Sequence, residues 1–434
     1  MSSDAPLQPG ANGPHAAATL LGSNAVTVNL SDTLMATTPP VKLSDGLASG
    51  PPTARGAGSA AVLPNLEVDG DGLQLTPGRG PRYAPVRSLG RGGMGEVDLV
   101  EDRDIGRSVA VKRLLPEASG PAQLARFVDE VRVTGRLEHP NIVPIHDVGL
   151  DDSGRYYFVM KYVPGETLES IISRLAQGDP AAVAHYDITR RVEIFQGLLR
   201  ALDYAHTAGI LHRDLKPANV MVGEFGEVVL MDWGVACSLG RDAAPADATA
   251  APRATAQARL SSTQAGALVG TPHYMSPEQT KGAQFALDVR SDLYSATVLF
   301  HELLGLRHRH ADQTSLMSVL MAVSTTEPPE PQQIFAAHPS QPWGVPAEYT
   351  HYVRRGLALD PKDRWQSARQ MIDELHAIQA GHCDVQCPIT LMKRMTYGLV
   401  HLIDRYPAAV MMAMMLATAG LLVLVGFGVY LLVT

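Results

Sequence analysis

The chain has 434 residues, with 36 Lys and Arg against 44 Asp and Glu for a net charge of −8, and 45% of its residues are hydrophobic. That length holds two or three domains of about 150 residues, enough for one large core with tails. The acidic balance excludes a global basic field that would draw the chain onto nucleic acid, and three cysteines exclude a disulfide framework and place the working end in a reducing, cytosolic compartment.

Residues 1–82 are rich in Ala, Gly, Pro, Ser and Thr and contain no Phe, Trp or Tyr, so they are predicted to form a disordered tail. The start lacks a basic region followed by an apolar core, which argues against a cleaved secretory signal. Thr38 and Thr76, each followed by proline, are phosphoacceptor candidates among many others there.

From Tyr83 the apolar residues become periodic and short β-branched runs appear, such as Val109-Ala110-Val111. The pattern predicts an α+β domain over 83–377, with a small β-rich lobe over 83–163 and a large helical lobe over 164–377 that holds a strand at Val228–Met231. A linker follows over 378–407. Its residues Ile389 to Tyr406 mix apolar and basic positions at helical spacing and are predicted to lie along a membrane surface.

Residues 408–433 carry no charge. As a helix they reach about 39 Å, more than the roughly 30 Å hydrocarbon core, and Tyr406 and Tyr430 sit at belt positions. Lys393, Arg394 and Arg405 before the span predict a single-pass cell-membrane protein with its N-terminal bulk in the cytoplasm and, with only Thr434 beyond the span, no extracellular sensor domain. Ala409, Ala413 and Ala417 form a small-xxx-small pattern that would let two copies pair as a homodimer, with coincidence in an Ala-rich chain as the alternative.

Three motifs carry the chemistry. Leu89-Gly90-Arg91-Gly92-Gly93-Met94-Gly95-Glu96-Val97 contains G-x-G-x-x-G-x-V and leads into β-like residues, then to Lys112 in Val109-Ala110-Val111-Lys112. This is a strand-turn-strand loop over phosphates. A nicotinamide-dependent oxidoreductase is excluded because there the glycines enter a helix. His212-Arg213-Asp214-Leu215-Lys216-Pro217-Ala218-Asn219 and Asp232-Trp233-Gly234 come later in the chain. Carboxylates, an amide and lysines of this kind suit phosphoryl transfer, which needs a base, metal ligands and positive charge more than covalent work by the protein.

In these motifs and their order the chain resembles the eukaryotic-like Ser/Thr protein kinases, particularly the membrane-anchored bacterial type, over about two-thirds of its length. The resemblance implies the two-lobe kinase fold and transfer of the γ-phosphoryl of ATP to protein Ser or Thr hydroxyls, with Mg²⁺ or Mn²⁺. It implies Asp214 as the catalytic base, Lys216 as the charge on the transferred group, and Asn219 and Asp232 as metal ligands. Lys112 would hold the α- and β-phosphates and pair with Glu130 on the small-lobe helix. Leu89, Gly90, Gly92, Gly95, Val97 and Ala110 would line the nucleotide, with Met160 as gatekeeper and the backbone of Lys161 and Val163 on the adenine edge. Trp233 stands where the family has Phe, and an indole there would pack beneath the small-lobe helix.

The resemblance also implies that Glu278, at the end of the activation segment, pairs with a buried Arg364 and that Asp292 anchors the catalytic loop. Lys216 with Thr271 points to Ser/Thr specificity. Glu278 lies 46 positions after Asp232, so an insertion beginning near Arg241 is predicted, with autophosphorylation at Ser261, Ser262 or Thr263 answered by Arg213. A catalytically silent membrane scaffold of the same fold is the alternative; it would be expected to lack Lys112, Asp214, Asn219 or Asp232, and all four are present. His308 and His310 are predicted to lie in a solvated loop. His382, Cys383 and Cys387 fall short of a four-ligand zinc site and are read as linker.

Overall fold

The structure, a computed structural model, describes residues 42–43, 65–69, 72–76, 81–93, 95–118, 120–234, 237–238, 271–280, 287–330, 333–335, 338–342, 344–382, 384 and 386–433. Met94, Cys383 and the predicted insertion with Ser261, Ser262 and Thr263 lie outside them.

Within the segment read as a disordered tail, the structure contains a small sheet: β2 (Asn65–Asp69) and β3 (Gly72–Thr76) pair antiparallel, and β1 (Lys42–Leu43) runs parallel to β3. The register sets Leu66 opposite Leu75 and Val68 opposite Leu73. Polar and apolar residues alternate across Asn65-Leu66-Glu67-Val68-Asp69, and the Asp69-Gly70-Asp71-Gly72 junction supplies turn chemistry. A composition averaged over 82 residues hides a hairpin of this length.

The second unit begins with a five-stranded antiparallel sheet in the order β4 (Tyr83–Arg91), β5 (Gly95–Asp102), β6 (Arg107–Leu114), β8 (Tyr156–Lys161), β7 (Ile145–Leu150). Helix α1 (Pro121–Thr134), with Pro at its first position, lies between β6 and β7 in the chain. Side chains alternate across β6. Val109 and Val111 join Tyr83, Val100, Tyr157 and Val159 on one face, while Leu114 joins Phe127 of α1 and Phe158 on the other.

The large lobe is helical around one continuous core. Helix α2 (Leu168–Ala176) follows the short strand β9 (Gly165–Thr167), is capped by Thr167 and buries Leu168, Ile171, Ile172 and Leu175, the i, i+3, i+4, i+7 stripe of an amphipathic helix. After the short α3 (Pro180–His185), α4 (Ile188–Thr207), capped by Asp187, runs through the lobe. Helix α5 (Pro277–Thr280) precedes α6 (Val289–Gly305), which is capped by Asp288 and buried along nearly its whole length. Phe195 of α4 stacks on Phe300 of α6 with ring centroids 4.0 Å apart. Helices α7 (Leu316–Thr325), α8 (Ala347–Gly356) and α9 (Ala368–Gln379) complete the lobe.

Two further helices come next, α10 (Pro388–Arg405) and α11 (Pro407–Val433). Within α11, Pro407–Gly426 is unburied and, among the described residues, is the segment long and apolar enough to cross a membrane.

Candidate active site

Lys112 shares its parity on β6 with Leu114, so the pleat aims it at α1. Its Nζ lies 2.5 Å from Glu130 Oε1 and 3.7 Å from Asp232 Oδ1, joining small-lobe sheet, small-lobe helix and large lobe at one point. Burial pulls the Lys112 ammonium toward neutrality, but the carboxylates of Asp232 and Glu130 outweigh it and raise its pKa, so it stays charged. Burial likewise raises Asp232, and Lys112, Lys216 and His212 together overcome that and hold it below the usual carboxylate range. A Cβ at Gly234 would stand 3.1 Å from Glu130 Oε2 and 3.3 Å from Asp232 Oδ1, so a side chain there would crowd both carboxylates. Trp233 is fully buried in the core that runs from Val133 and Leu137, at and just past the end of α1, into the large lobe; its ring meets His212 edge-on at 4.7 Å.

The loop holding Asp214 comes after β10 (Ile210–Leu211) and is fixed from beneath. Asp292, 1% exposed on α6, accepts from the backbone N–H of His212 at 2.8 Å and of Arg213 at 2.9 Å, with His206 Nε2 2.9 Å from the same carboxylate. Arg213 and Asp232 both hold positive φ, 68° and 62°, a strained backbone that persists where its surroundings over-determine it. Gln279 of α5 adds a second constraint by donating to the Arg213 carbonyl at 2.9 Å. Sequence reading missed Gln279, since nothing local marks a residue whose role is to reach 66 positions back.

Lys216 Nζ lies 2.9 Å from Asp214 Oδ2, and Asn219 Nδ2 donates to the Asp214 carbonyl at 3.0 Å. Asn219 sits just before β11 (Val220–Gly223), which pairs with β12 (Val228–Leu230), and the Met231 N–H bonds the Asn219 carbonyl at 2.8 Å. This ladder brings the backbone of Asn219 beside that of the residue preceding Asp232. Among the described residues no three His, Cys, Asp or Glu gather into a metal-ligand group. A cation resting on Asp232, Asn219 and ligand phosphates fits Mg²⁺, which takes one or two protein ligands beside substrate oxygens.

Leu89, Gly90 and Gly92 are exposed, Val97 half-buried and Ala110 buried. A Cβ at Gly90 or Gly93 would meet nothing within 4 Å, so the protein's own packing does not demand glycine there and the loop is left open to a ligand. Gly95 differs: its Cβ would lie 2.7 Å from the Arg113 carbonyl oxygen, giving it a reason in sheet packing. Met160 is in register with Ala110. The Lys161 N–H bonds the Pro144 carbonyl at 3.1 Å, while among the described residues no partner is found for the N–H of the buried Val163.

Arg364, its side chain fully buried, holds Glu278 through two bonds of 2.8 and 3.0 Å, and Ser291 donates to the same carboxylate at 2.7 Å. Burial raises the Glu278 carboxyl, but Arg364 prevails and lowers it. The solvated-loop reading of His308 and His310 is overturned. His310 is 5% exposed, and His308 packs edge-on against Tyr274 and His273 at 5.0 and 5.1 Å, beneath the end of the activation segment. Their loop leaves α6 and folds back on the segment, a tertiary contact that the Arg307-His308-Arg309-His310 string, polar as it stands, does not announce.

Residues 83–376 match the family description of the protein kinase domain. The chain belongs to the protein kinase family. It is 36% identical over 306 residues to a probable serine/threonine-protein kinase of Streptomyces coelicolor, covering 70% of this chain and 40% of that one. It is 34% identical to the probable serine/threonine-protein kinase PknB of Bifidobacterium longum (73% and 43%) and 30% identical to the serine/threonine-protein kinase PknD of Chlamydia pneumoniae (68% and 31%). The chain thus spans less than half the length of these relatives.

Proposed function

We propose that this protein is a Ser/Thr protein kinase that transfers the γ-phosphoryl of ATP to Ser or Thr hydroxyls of protein substrates. The observation that carries the reading is the convergence of Lys112, Glu130 and Asp232 at the junction of the lobes, with Asp214 and Lys216 as a 2.9 Å pair on a doubly fixed loop. Bound ATP supplies the phosphoryl group, and Mg²⁺ or Mn²⁺ neutralises its charge. Asp214 takes the proton of the incoming hydroxyl, and Lys216 stays beside it to meet charge on the transferred group. Lys112, kept charged by its two carboxylates, holds the α- and β-phosphates. Asn219, tethered through its Nδ2, keeps its side-chain Oδ1 for the cation, as Asp232 keeps its carboxylate. The Val163 N–H and the Lys161 carbonyl serve the adenine edge.

The test is transfer of labelled γ-phosphate by the full chain, beside Asp214→Asn and Lys112→Met. Wild-type incorporation that falls at least about 100-fold in both supports the reading, since base catalysis and phosphate positioning each contribute on that order. Equal incorporation by Asp214→Asn sinks it. A folded wild type that binds ATP without transfer favours the silent scaffold.

The proposal includes single-pass anchoring in the cell membrane through α11, with the kinase domain cytoplasmic, supported by the unburied apolar span and by Lys393, Arg394 and Arg405 before it. It also includes activation by phosphorylation at Ser261, Ser262 or Thr263, supported by Arg213 beside the catalytic base. Mass spectrometry of active protein that finds no phosphate there removes this last part.

A further inference from the structure

Helix α10 is built inside out. Thr390, Lys393 and Tyr397, spaced three and four residues apart, form one stripe, and that stripe faces the large lobe. Lys393 Nζ bonds both oxygens of Glu348 on α8 at 2.8 and 2.9 Å, Thr390 is 1% exposed with its hydroxyl bonded to the backbone of Cys387 at the helix start, and Tyr397, 53% exposed, lays its ring edge against Gly381, where an added Cβ would come within 2.6 Å of it. The side turned to the protein is therefore polar. The other half of the circumference carries Ile389, Leu391, Met392, Met395, Leu402 and Ile403, and it is bare: Met392 is 73% and Met395 68% exposed.

A helix packed on a soluble domain shows the reverse order, apolar side in and polar side out. An apolar half-cylinder of this length marks a surface that something covers. The neighbouring helix points to the cover. Tyr406 alone separates α10 from α11, whose unburied segment Pro407–Gly426 has a mean hydropathy of 2.4. Tyr406 has non-helical backbone, φ −136° and ψ 58°, and the proline after it disfavours the α conformation there, so the helix breaks where a surface segment would turn into a span. With Lys393 paired to Glu348, Arg394 and Arg405 still outnumber the lone acid Asp404 in α10, which suits anionic headgroups.

We propose that α10 lies in the headgroup layer of an anionic lipid bilayer, with its apolar half toward the acyl chains and its polar stripe gripping the large lobe. The Lys393–Glu348 pair then acts as a strap that sets the α8 side of the kinase domain toward the membrane. The anchor is an orienting mount, not a loose tether. This rests on the membrane reading of α11, and the experiment separates the two.

The full chain is reconstituted in vesicles of equal parts phosphatidylcholine and phosphatidylglycerol, with an environment-sensitive label at Met395→Cys or Leu416→Cys. The expected result is quenching of both labels by lipid-borne nitroxides, shallow for position 395 and deep for 416. Position 416 quenched by lipid while 395 is quenched only by an aqueous quencher overturns the interfacial helix and leaves the span intact. Neither label quenched by lipid overturns the membrane reading itself. Position 395 shielded from both quenchers, with cross-linked dimers, assigns the face to a second copy and also overturns the proposal. The strap is read by energy transfer from a dye at Phe225→Cys, on the exposed surface of the large lobe, to headgroup acceptors. Lys393→Glu should change the transfer and broaden its distribution, and the exchange Lys393→Glu with Glu348→Lys should restore it. No change in the single variant overturns the strap.

Discussion

In the large lobe the loops that carry the chemistry rest on buried polar anchors, whereas in the small lobe they rest on an open strand edge. Asp292 and the Glu278–Arg364 pair hold the Asp214 loop and the end of the activation segment from within the core. Strand β4 buries Tyr83 and Ala84 and exposes the remainder, Pro85 to Arg91, up to the glycines. Near the glycine end of that edge the ion pair of Arg155 with Glu96, at 3.0 Å, has side chains 29% and 27% exposed. One lobe fixes proton and cation chemistry in place, and the other keeps a pliable cover.

The largest expected break of this contrast is Glu278→Gln. It leaves the Arg364 guanidinium buried without its carboxylate, which costs about 3 to 5 kcal/mol. Glu96→Gln removes one of two carboxylate partners of the half-exposed Arg155, which keeps Asp151 at 2.9 Å, and should cost about 0 to 1 kcal/mol. Denaturant midpoints of the two variants beside wild type measure both. Equal losses would show that the anchors of the two lobes do not differ.

An intermediate effect comes from protons. Burial, with His273 and His310 next in order, holds His308 down to about 2; burial holds His310 and His301 to about 4. Among the described residues, His308 Nε2, His310 Nε2 and His301 Nδ1 are buried without a partner. These rings stay neutral in the folded chain while the unfolded chain takes up protons below about pH 6.5, so stability falls as the pH drops from there toward the folded values. The loss is about 2 kcal/mol for each histidine between pH 6.5 and 5, at about 1.4 kcal/mol per unit. The lowered Glu278 adds a loss in the same direction below about pH 4.5. Unfolding midpoints at pH 7 and 5 should show this slope, and His308→Asn should flatten it by one histidine's share. An unchanged slope would place the titrating groups elsewhere.

The legibility of the sequence divides along the same line. Lys112, Asp214, Asn219 and Asp232 stand out as candidates because each belongs to a short run whose residue types suit one chemistry, and the two lobes are legible because hydrophobic period changes between them. Gln279 and the buried His308 and His310 were not, because their roles are made by contacts between segments far apart in the chain. The β2–β3 hairpin escaped because a weak alternation of four apolar residues was outvoted by the composition around it. For α10 the spacing of Ile389 to Tyr406 suggests a surface helix, but the Lys393–Glu348 contact with the large lobe is not legible, because periodicity reports that an apolar half exists and not what the polar side meets.

The smallest effect sharpens the contrast within one loop. Gly90 and Gly95 belong to the same motif, yet only Gly95 is hemmed in by the protein, with the Arg113 carbonyl 2.7 Å from its Cβ position. Gly95→Ala must push a backbone carbonyl aside in a paired strand and should cost about 1 to 3 kcal/mol, as other overpacked sites do. Gly90→Ala meets no atom within 4 Å, so its stability should stay within about 0.5 kcal/mol of wild type. Its cost should appear only when nucleotide is present, as a raised KM for ATP, because the added methyl enters space the fold leaves for phosphates. If Gly90→Ala loses stability and keeps its KM, the openness of that loop serves the sheet and not the ligand.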